Sequence, residues 1–505
     1  MAAYFRKLPF FTVLLFVAGG AMLLTAGVGA SLELYRTARD FFYVGLMVIM
    51  AAVLLGFASQ TPRRVPSERS HLATLFLAYL WLPVVLAWPM DQAVGNTRFV
   101  NVYLDMVSAL TTTGLEVFEP QRLNPVIHFW RGLIGWIGGL MIWITAFSIL
   151  APLNLGGYEV TSEARVQGQV VNSRGQMQAA NASERLRKNA MRLTPIYLGL
   201  TVALAIAMIA AGEVPLVASI HAMSTLATSG ISPVGGLEGR PTGAMGEMLI
   251  FVFFVFALSR RTYSSGFGHE FRQRLMKDRE IRLALFAAIV LPTLLFLRHW
   301  IGALEVDELA DGRAAFEALW GSVFTVISFL TTTGFVSDNW DAARDWSGLQ
   351  APGLVLVGLV LMGGGVATTA GGVKLLRVYA LYKHGAREIG KLIYPNSVAG
   401  AGRLGRRIRR EGAYIAWVVF MLFILTMAAV MVALALTGLS FEQSMILAIS
   451  TLTTTGPLAG VAGAQPIGIF GLTDAAKLVS AAAMIVGRIE TLVLIALFNP
   501  AFWRD

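Results

Sequence analysis

Four short stretches carry residues suited to one kind of chemistry, the coordination of a cation by oxygen. They read Thr111-Thr112-Thr113-Gly114-Leu115, Ala227-Thr228-Ser229-Gly230-Ile231, Thr331-Thr332-Thr333-Gly334-Phe335 and Thr453-Thr454-Thr455-Gly456-Pro457. Glycine opens backbone angles that other residues avoid, and threonine adds a hydroxyl on a stiff χ1. Backbone carbonyls turned inward by such a strand replace the hydration shell of an ion. No carboxylate stands inside the four-residue cores, which favours a weakly hydrated monovalent ion over Ca²⁺. One Thr-Gly stretch alone means little. Four in matching contexts read as one selectivity filter built by a single chain.

The context supplies the elements that must position them. Each copy follows an apolar run too short for a bilayer, which asks for about 20 residues. These runs are Val100 to Leu110, Leu216 to Leu226, Phe316 to Leu330 and Glu442 to Leu452. Longer apolar runs flank them: His71 to Pro89 and Val126 to Pro152, then Leu193 to Ala211 and a short one from Met245 to Arg260-Arg261. The third pair is Ile281 to Trp300 and an interrupted Leu354 to Met362; the fourth is Tyr414 to Leu436 and Leu478 to Phe498. A half-helix ending inside the membrane aims the negative end of its dipole at whatever lies beyond. Four such ends converging on one axis favour a cation there.

The fold class is therefore an all-α polytopic membrane protein with about ten spanning helices. Four helix–half-helix–helix repeats stand pseudo-fourfold around one pore. The divisions are 1–65 (two leading helices), 66–160, 161–275, 276–400 and 401–505 for the repeats. The first leading run, Leu8 to Ala30, exceeds the roughly 7–15 residues of a signal-peptide core, so it is read as a retained helix. Residues 156–192, ending in Arg185-Leu186-Arg187-Lys188, and residues 383–411 are read as basic cytoplasmic loops.

Composition agrees. Of 505 residues 56% are hydrophobic and 14% charged, which excludes an ordinary soluble enzyme. Cysteine is absent, so there are no disulfides or thiolate metal sites. The histidines are scattered, and neither a GxxxxGK[ST] loop nor a strand-opening GxGxxG occurs. No catalytic cluster of His, Asp, Glu or Lys gathers at one membrane depth. The net charge of +10 sits on one set of alternate loops, while the other set is acidic. By the positive-inside rule both termini are cytoplasmic and the Thr-Gly stretches lie near the outer face. That distribution points to a bilayer and away from nucleic acid.

The interrupted helix of the third repeat contains Gly363-Gly364-Gly365-Val366-Ala367-Thr368-Thr369-Ala370-Gly371-Gly372, then Val373-Lys374. Glycines inside a helix cost about 1 kcal/mol each, and non-helical backbone at membrane depth persists only where it is buried or lines water. This stretch is read as a gate beneath the filter. Arg488 lies within the last apolar run, two positions from Glu490, which faces elsewhere on a helix. Carbonyls exposed by the glycine break are the expected partners of its guanidinium. Arg260-Arg261 either snorkel or line an inner vestibule.

These features together resemble the TrkH/KtrB potassium transporters, over nearly the whole chain. The likeness rests on the four filters, the Gly-Gly…Thr-Ala-Gly-Gly-Val-Lys break and the closing Gly487-Arg488-Ile489-Glu490…Asn499-Pro500-Ala501-Phe502-Trp503. The two leading helices and Gly456-Pro457 fit the TrkH branch. The resemblance implies K⁺ uptake in a bacterial inner membrane, with K⁺ (and Rb⁺ as its surrogate) held by the filter carbonyls. It also implies a homodimer and a cytoplasmic TrkA-type regulatory subunit. A nucleotide (NAD or ATP/ADP) enters only through that subunit, and no cofactor is bound covalently. Gly363, Gly364, Gly365, Thr368, Thr369, Gly371, Gly372 and Lys374 would form the gate loop, with Arg488 closing it. Val366 to Thr369 replace the family's usual small Gly/Ser residues, and Arg260-Arg261 fall where it has uncharged ones. The nearest rival is a K⁺ symporter driven by H⁺ or Na⁺, with Asp105, Glu442 or Glu490 as its carboxylate. Asp105 and Glu442 are expected instead to cap or orient their half-helices.

Overall fold

The computed structural model describes residues 10–59, 68–151, 182–263, 278–303, 312–347, 353–393 and 403–490. Among them the chain is helical, without strands. Helices α1 (Phe10–Ser31) and α2 (Tyr35–Ala58) form a hairpin ahead of the repeats. Their seam is close because it is built on glycine: a Cβ on Gly45 would stand 2.9 Å from the Met22 Cβ. The opposite face of α2, including Leu46, Met50 and Leu54, is exposed and apolar, as a lipid-facing helix requires.

The first repeat comprises α3 (Glu68–Val94), the half-helix α4 (Phe99–Leu110) and α5 (Pro125–Thr145). A π turn, Ala146–Leu150, continues α5. The second has α6 (Ala182–Ala210), α7 (Pro215–Ala227) and the short pair α8 (Gly243–Phe253) and α9 (Val255–Leu258). The third has α10 (Arg279–Ala303), α11 (Gly312–Leu330), the surface helix α12 (Trp340–Ser347), α13 (Gly353–Met362) and α14 (Leu375–Ile393). The fourth has α15 (Arg403–Ala435), α16 (Phe441–Leu452), the single turn α17 (Leu458–Val461) and α18 (Asp474–Ile489).

Packing closes these into a ring. Each half-helix (α4, α7, α11, α16) contacts the helix before it and the helix after it in its own repeat. Each also contacts the returning helix of the preceding repeat: α5 meets α7, α8 meets α11, α13 meets α16, and α18 meets α4. Seven helices are long and apolar enough to cross a membrane among the described residues. Among the described residues the returning helices of repeats two and three are short or interrupted, and that of repeat four is described to Ile489.

Four element boundaries differ from the sequence reading. The third half-helix is longer than the run Phe316 to Leu330, starting at Gly312. The basic run Arg185 to Lys188 lies on α6 and not in a loop. Much of 383–411 is likewise helical, at the end of α14 and the start of α15. Charged Arg, Lys and Glu lower hydropathy but are good helix formers, so helices extend beyond their apolar stretch. Finally, the described part of α18 ends at Ile489, with Glu490 at φ 70°, so Arg488 sits in its last turn. Asn499 to Trp503 lie outside the described residues.

Candidate functional site

The four Thr-Gly segments share one backbone conformation. The second residue of each, Thr112, Thr228, Thr332 and Thr454, is left-handed, with φ of 54°, 52°, 57° and 53°. A β-branched residue there is strained, and its fourfold recurrence marks a shared requirement. The next residue donates its N–H into the half-helix below, always to a serine carbonyl. The bonds are Thr113 N to Ser108 O (2.8 Å), Ser229 N to Ser224 O (3.0 Å), Thr333 N to Ser328 O (3.0 Å) and Thr455 N to Ser450 O (2.8 Å). Side chains stiffen the strands further: Thr111 and Thr113 Oγ1 are 2.8 Å apart, and Thr331 and Thr333 Oγ1 are 3.0 Å apart.

The glycines bring the segments round one axis. A Cβ on Gly114 would stand 1.7 Å from Ser229 O, one on Gly230 2.2 Å from Thr333 O, and one on Gly334 3.0 Å from the Pro457 ring. A Cβ on Gly456 would stand 2.2 Å from Leu115 N, which returns the circuit to the first segment. Gly114, Gly230 and Gly334 have φ of 67°, 64° and 83°, the angles that call for glycine. Gly456 lies outside that region; only the close approach of Leu115 requires it.

Carboxylates, three of them buried (Asp105, Glu213 and Glu247), hold these segments in place. Arg131 Nε donates to Asp105 Oδ2 at 2.9 Å, tying α5 to the middle of α4. This orients the half-helix, as expected, by an ion pair and not by a cap. Glu213 accepts from Arg240, from Thr242 Oγ1 and from Val214 N in the second repeat. Glu247 accepts from Trp320 Nε1 (2.7 Å), Ser337 Oγ (2.8 Å) and Asp338 N (2.6 Å), fixing the chain beyond the third segment. Glu442 accepts from Ala464 N at 3.0 Å beyond the fourth. A capping box of Ser440 and Gln443 starts α16.

Residues 363–374 leave the helix between α13 and α14 and form a buried hairpin under the filter. Gly363, Ala367, Gly372 and Lys374 all have positive φ. Val373 N donates to Leu361 O and Leu375 N to Gly364 O, both at 3.0 Å, closing its neck. Its tip bonds upward: Gly371 N to Thr332 Oγ1 (2.7 Å) and Thr369 Oγ1 to Leu226 O (3.1 Å). Thr368 Oγ1 stays within the loop, on Gly365 O. Arg488 donates one N–H to Thr369 O at 2.6 Å, the carbonyl partner expected of the glycine break. Lys374 Nζ donates to Ala370 O. Glu490 accepts from Arg377 at 2.7 Å. A small cavity between the loop, Gly487, Arg488 and the π turn of α5 lies beneath this tip. Such π turns recur at functional sites.

Several residues escaped the sequence reading. Ser108, Ser224, Ser328 and Ser450 each stand six positions before the filter glycine, giving S-x-L-[TA]-T-[TS]-G four times. That signal was available. Glu280 was not foreseen: its carboxylate accepts from Val366 N of the loop at 2.7 Å. Glu247 and Glu280 also correct the narrow set of intramembrane carboxylates drawn from sequence. Arg260 opens a short 3-10 turn after α9 and lies near Glu280. The side chain of Arg261 lies outside the described residues.

This arrangement has known counterparts. Residues 248–504 match the TrkH family, described as cation transport proteins. The chain is 31% identical over 439 residues to the Trk system potassium uptake protein TrkH of Halomonas elongata, covering 86% of this chain and 85% of that protein. Identity to the protein of the same name from Vibrio parahaemolyticus is 29% over 442 residues, 84% of this chain and 86% of that one. The crystal structure of the potassium transporter TrkH from Vibrio parahaemolyticus superposes with a TM-score of 0.80 at 25% identity, over 99% of this chain and 100% of that one. The overall fold is thus shared with a solved potassium transporter, and the chain belongs to the TrkH family of cation transport proteins.

Proposed function

We propose that this protein takes up K⁺ through a selective, channel-like pore, gated by residues 363–374 together with Arg488. The observation that carries this is the ring of Thr112, Thr228, Thr332 and Thr454. Their buried carbonyls have no hydrogen-bond donor among the described residues, and four half-helix C-termini point at them. Unpaired carbonyls in a buried ring are the ligands that replace the water shell of a monovalent cation. The relatives are named as potassium uptake proteins. Passive flux is favoured over symport because each carboxylate the sequence offered for coupling, and Glu247 with them, is engaged by a donor. Asp105 is held by Arg131, Glu247 by three donors, Glu442 by Ala464 N and Glu490 by Arg377.

In this reading the protein works as a homodimer in a bacterial inner membrane, with both termini and the basic ends of α6, α14 and α15 in the cytoplasm. A TrkA-type subunit docks there and carries the regulatory NAD or ATP/ADP. The test is Rb⁺ and Na⁺ flux into liposomes holding the purified protein at imposed potentials. Rb⁺ uptake that follows the potential and ignores pH and Na⁺ gradients supports the reading. Uptake that needs a second gradient makes the protein a symporter. No Rb⁺ uptake, even with a TrkA-type subunit added, overturns it.

A further inference from the structure

The four filter segments differ in what becomes of their carbonyl oxygens. At the left-handed threonines the ring is complete, as described above. One and two residues outward the fourth segment drops out. Thr455 O accepts from Leu458 N at 3.2 Å and Gly456 O accepts from Ala459 N at 3.0 Å, because the chain coils into α17 directly after Pro457. The first segment is drawn in too, since Gly456 N donates to Thr113 O at 2.6 Å. Gly114, Gly230 and Gly334 keep carbonyls without a donor among the described residues, and the chain after them is not helical.

Proline is the cause. Pro457 has φ −57° and ψ −19°; its ring locks the helical φ and so pre-organises the turn following it. The corresponding residues of the other repeats, Leu115, Ile231 and Phe335, carry no such restriction. The ring also lies against its neighbours: a Cβ on Gly334 would stand 3.0 Å from its Cβ and Cγ, and one on Gly230 2.7 Å from its Cγ. The fourth segment therefore presents a hydrocarbon wedge where the other three present a peptide oxygen.

We propose that Pro457 sets the ion preference of this pore by making its outer cation position three-sided. The position is bounded by the carbonyls of Gly114, Gly230 and Gly334, above an inner position served by four. The proposal rests on the pore reading above. An ion entering the outer position exchanges its water shell for an incomplete set of carbonyls and keeps water on the side of Pro457. Discrimination between K⁺ and Na⁺, which depends on the number and field of those carbonyls, is then carried mainly by the inner ring.

The experiment compares Rb⁺ and Na⁺ flux in liposomes for the wild type, Pro457→Leu and Leu115→Pro. Restoring a chain without the proline should raise the Rb⁺/Na⁺ flux ratio by about fivefold, the size expected for regaining one polar ligand. Leu115→Pro, which imposes the same break on the first segment, should lower it. An unchanged ratio in Pro457→Leu with Rb⁺ flux retained overturns the proposal and leaves the pore reading standing. Absence of Rb⁺ flux in the wild type with its regulator overturns the pore reading, and the proposal with it. Should Pro457→Leu not conduct, the melting temperature of the solubilised variant in K⁺ against Na⁺ gives the same comparison. A wider gap than in the wild type supports the proposal, and an equal gap refutes it.

Discussion

Replacing Arg488 with alanine should open the pore. The guanidinium is buried, 6% exposed, and makes a single bond to the loop, on Thr369 O at 2.6 Å. Among the described residues its Nε and second terminal nitrogen have no hydrogen-bond partner of good geometry, with Tyr79 close by. A charge-assisted hydrogen bond contributes about 1.5–3 kcal/mol net. If the loop makes this bond only when it lies under the filter, losing it shifts the open-to-closed ratio by roughly 10-fold to 100-fold, at about 1.4 kcal/mol per tenfold. Removing the charge also lowers the barrier a cation meets below the filter, so both effects have one sign. The assay is Rb⁺ uptake into liposomes at a fixed potential, with incorporation matched by quantitative blotting. Arg488→Lys keeps the charge but shortens the reach, and should fall between alanine and wild type. Uptake by Arg488→Ala at or below the wild-type rate, from protein with an unshifted melting temperature, would refute this account of the gate.

Four further outcomes follow from the packing of the helices. Gly138→Ala would place its Cβ 2.1 Å from Leu110 O at the end of the first half-helix; the overpacking should cost about 1–3 kcal/mol and lower the melting temperature. Gly199→Ala, with nothing within 4 Å, should leave the melting temperature unchanged or slightly raised. Glu247→Leu removes the acceptor of Trp320 Nε1, Ser337 Oγ and Asp338 N and strands the buried Ser337 hydroxyl at about 1–3 kcal/mol, so the protein should lose Rb⁺ uptake and melt early, while Glu247→Gln should be milder. Arg131→Met leaves Asp105 buried without its partner and should destabilise by about 3–5 kcal/mol. Combining it with Asp105→Leu should recover most of that loss in a thermal-melt double-mutant cycle.

The architecture was legible because a membrane imposes few solutions. Apolar runs of half the spanning length, each ending in Thr-Gly, admit little besides re-entrant helices, and the ring of α5–α7, α8–α11, α13–α16 and α18–α4 contacts follows from them. The glycine break was legible for a similar reason, since its composition forbids a helix. What sequence hid was long-range polar pairing. Glu280 and Val366 are far apart in the chain, and no local pattern announces a carboxylate that bonds one loop N–H. The four serines were hidden differently. Their recurrence is visible in the letters, but the service to the filter N–H groups is done by their backbone carbonyls and emerges only with the backbone path. Gly456 shows the same limit: the Thr-Thr-Thr-Gly letters common to three segments conceal one that departs where proline follows.

Residues 363–374 join parts of the pore that a separate filter and a separate gate would leave independent. Thr369 alone reaches both ways, its hydroxyl bonding Leu226 O at the second half-helix while its carbonyl holds Arg488 of α18. Two residues on, Gly371 N bonds Thr332 Oγ1, on a filter residue whose own carbonyl belongs to the inner ring. The loop cannot leave the pore without breaking these three bonds, and the loss of one loosens a filter threonine held at a strained left-handed angle. Neutral bonds of this kind contribute about 1 kcal/mol each and the arginine bond about 1.5–3 kcal/mol. The sum is of the same order as the coupling energy one bound effector delivers. If residues 363–374 gate the pore as proposed, opening them changes the filter as well, and a ligand acting on the C-terminal end of α14 would tune which ions pass as well as how many.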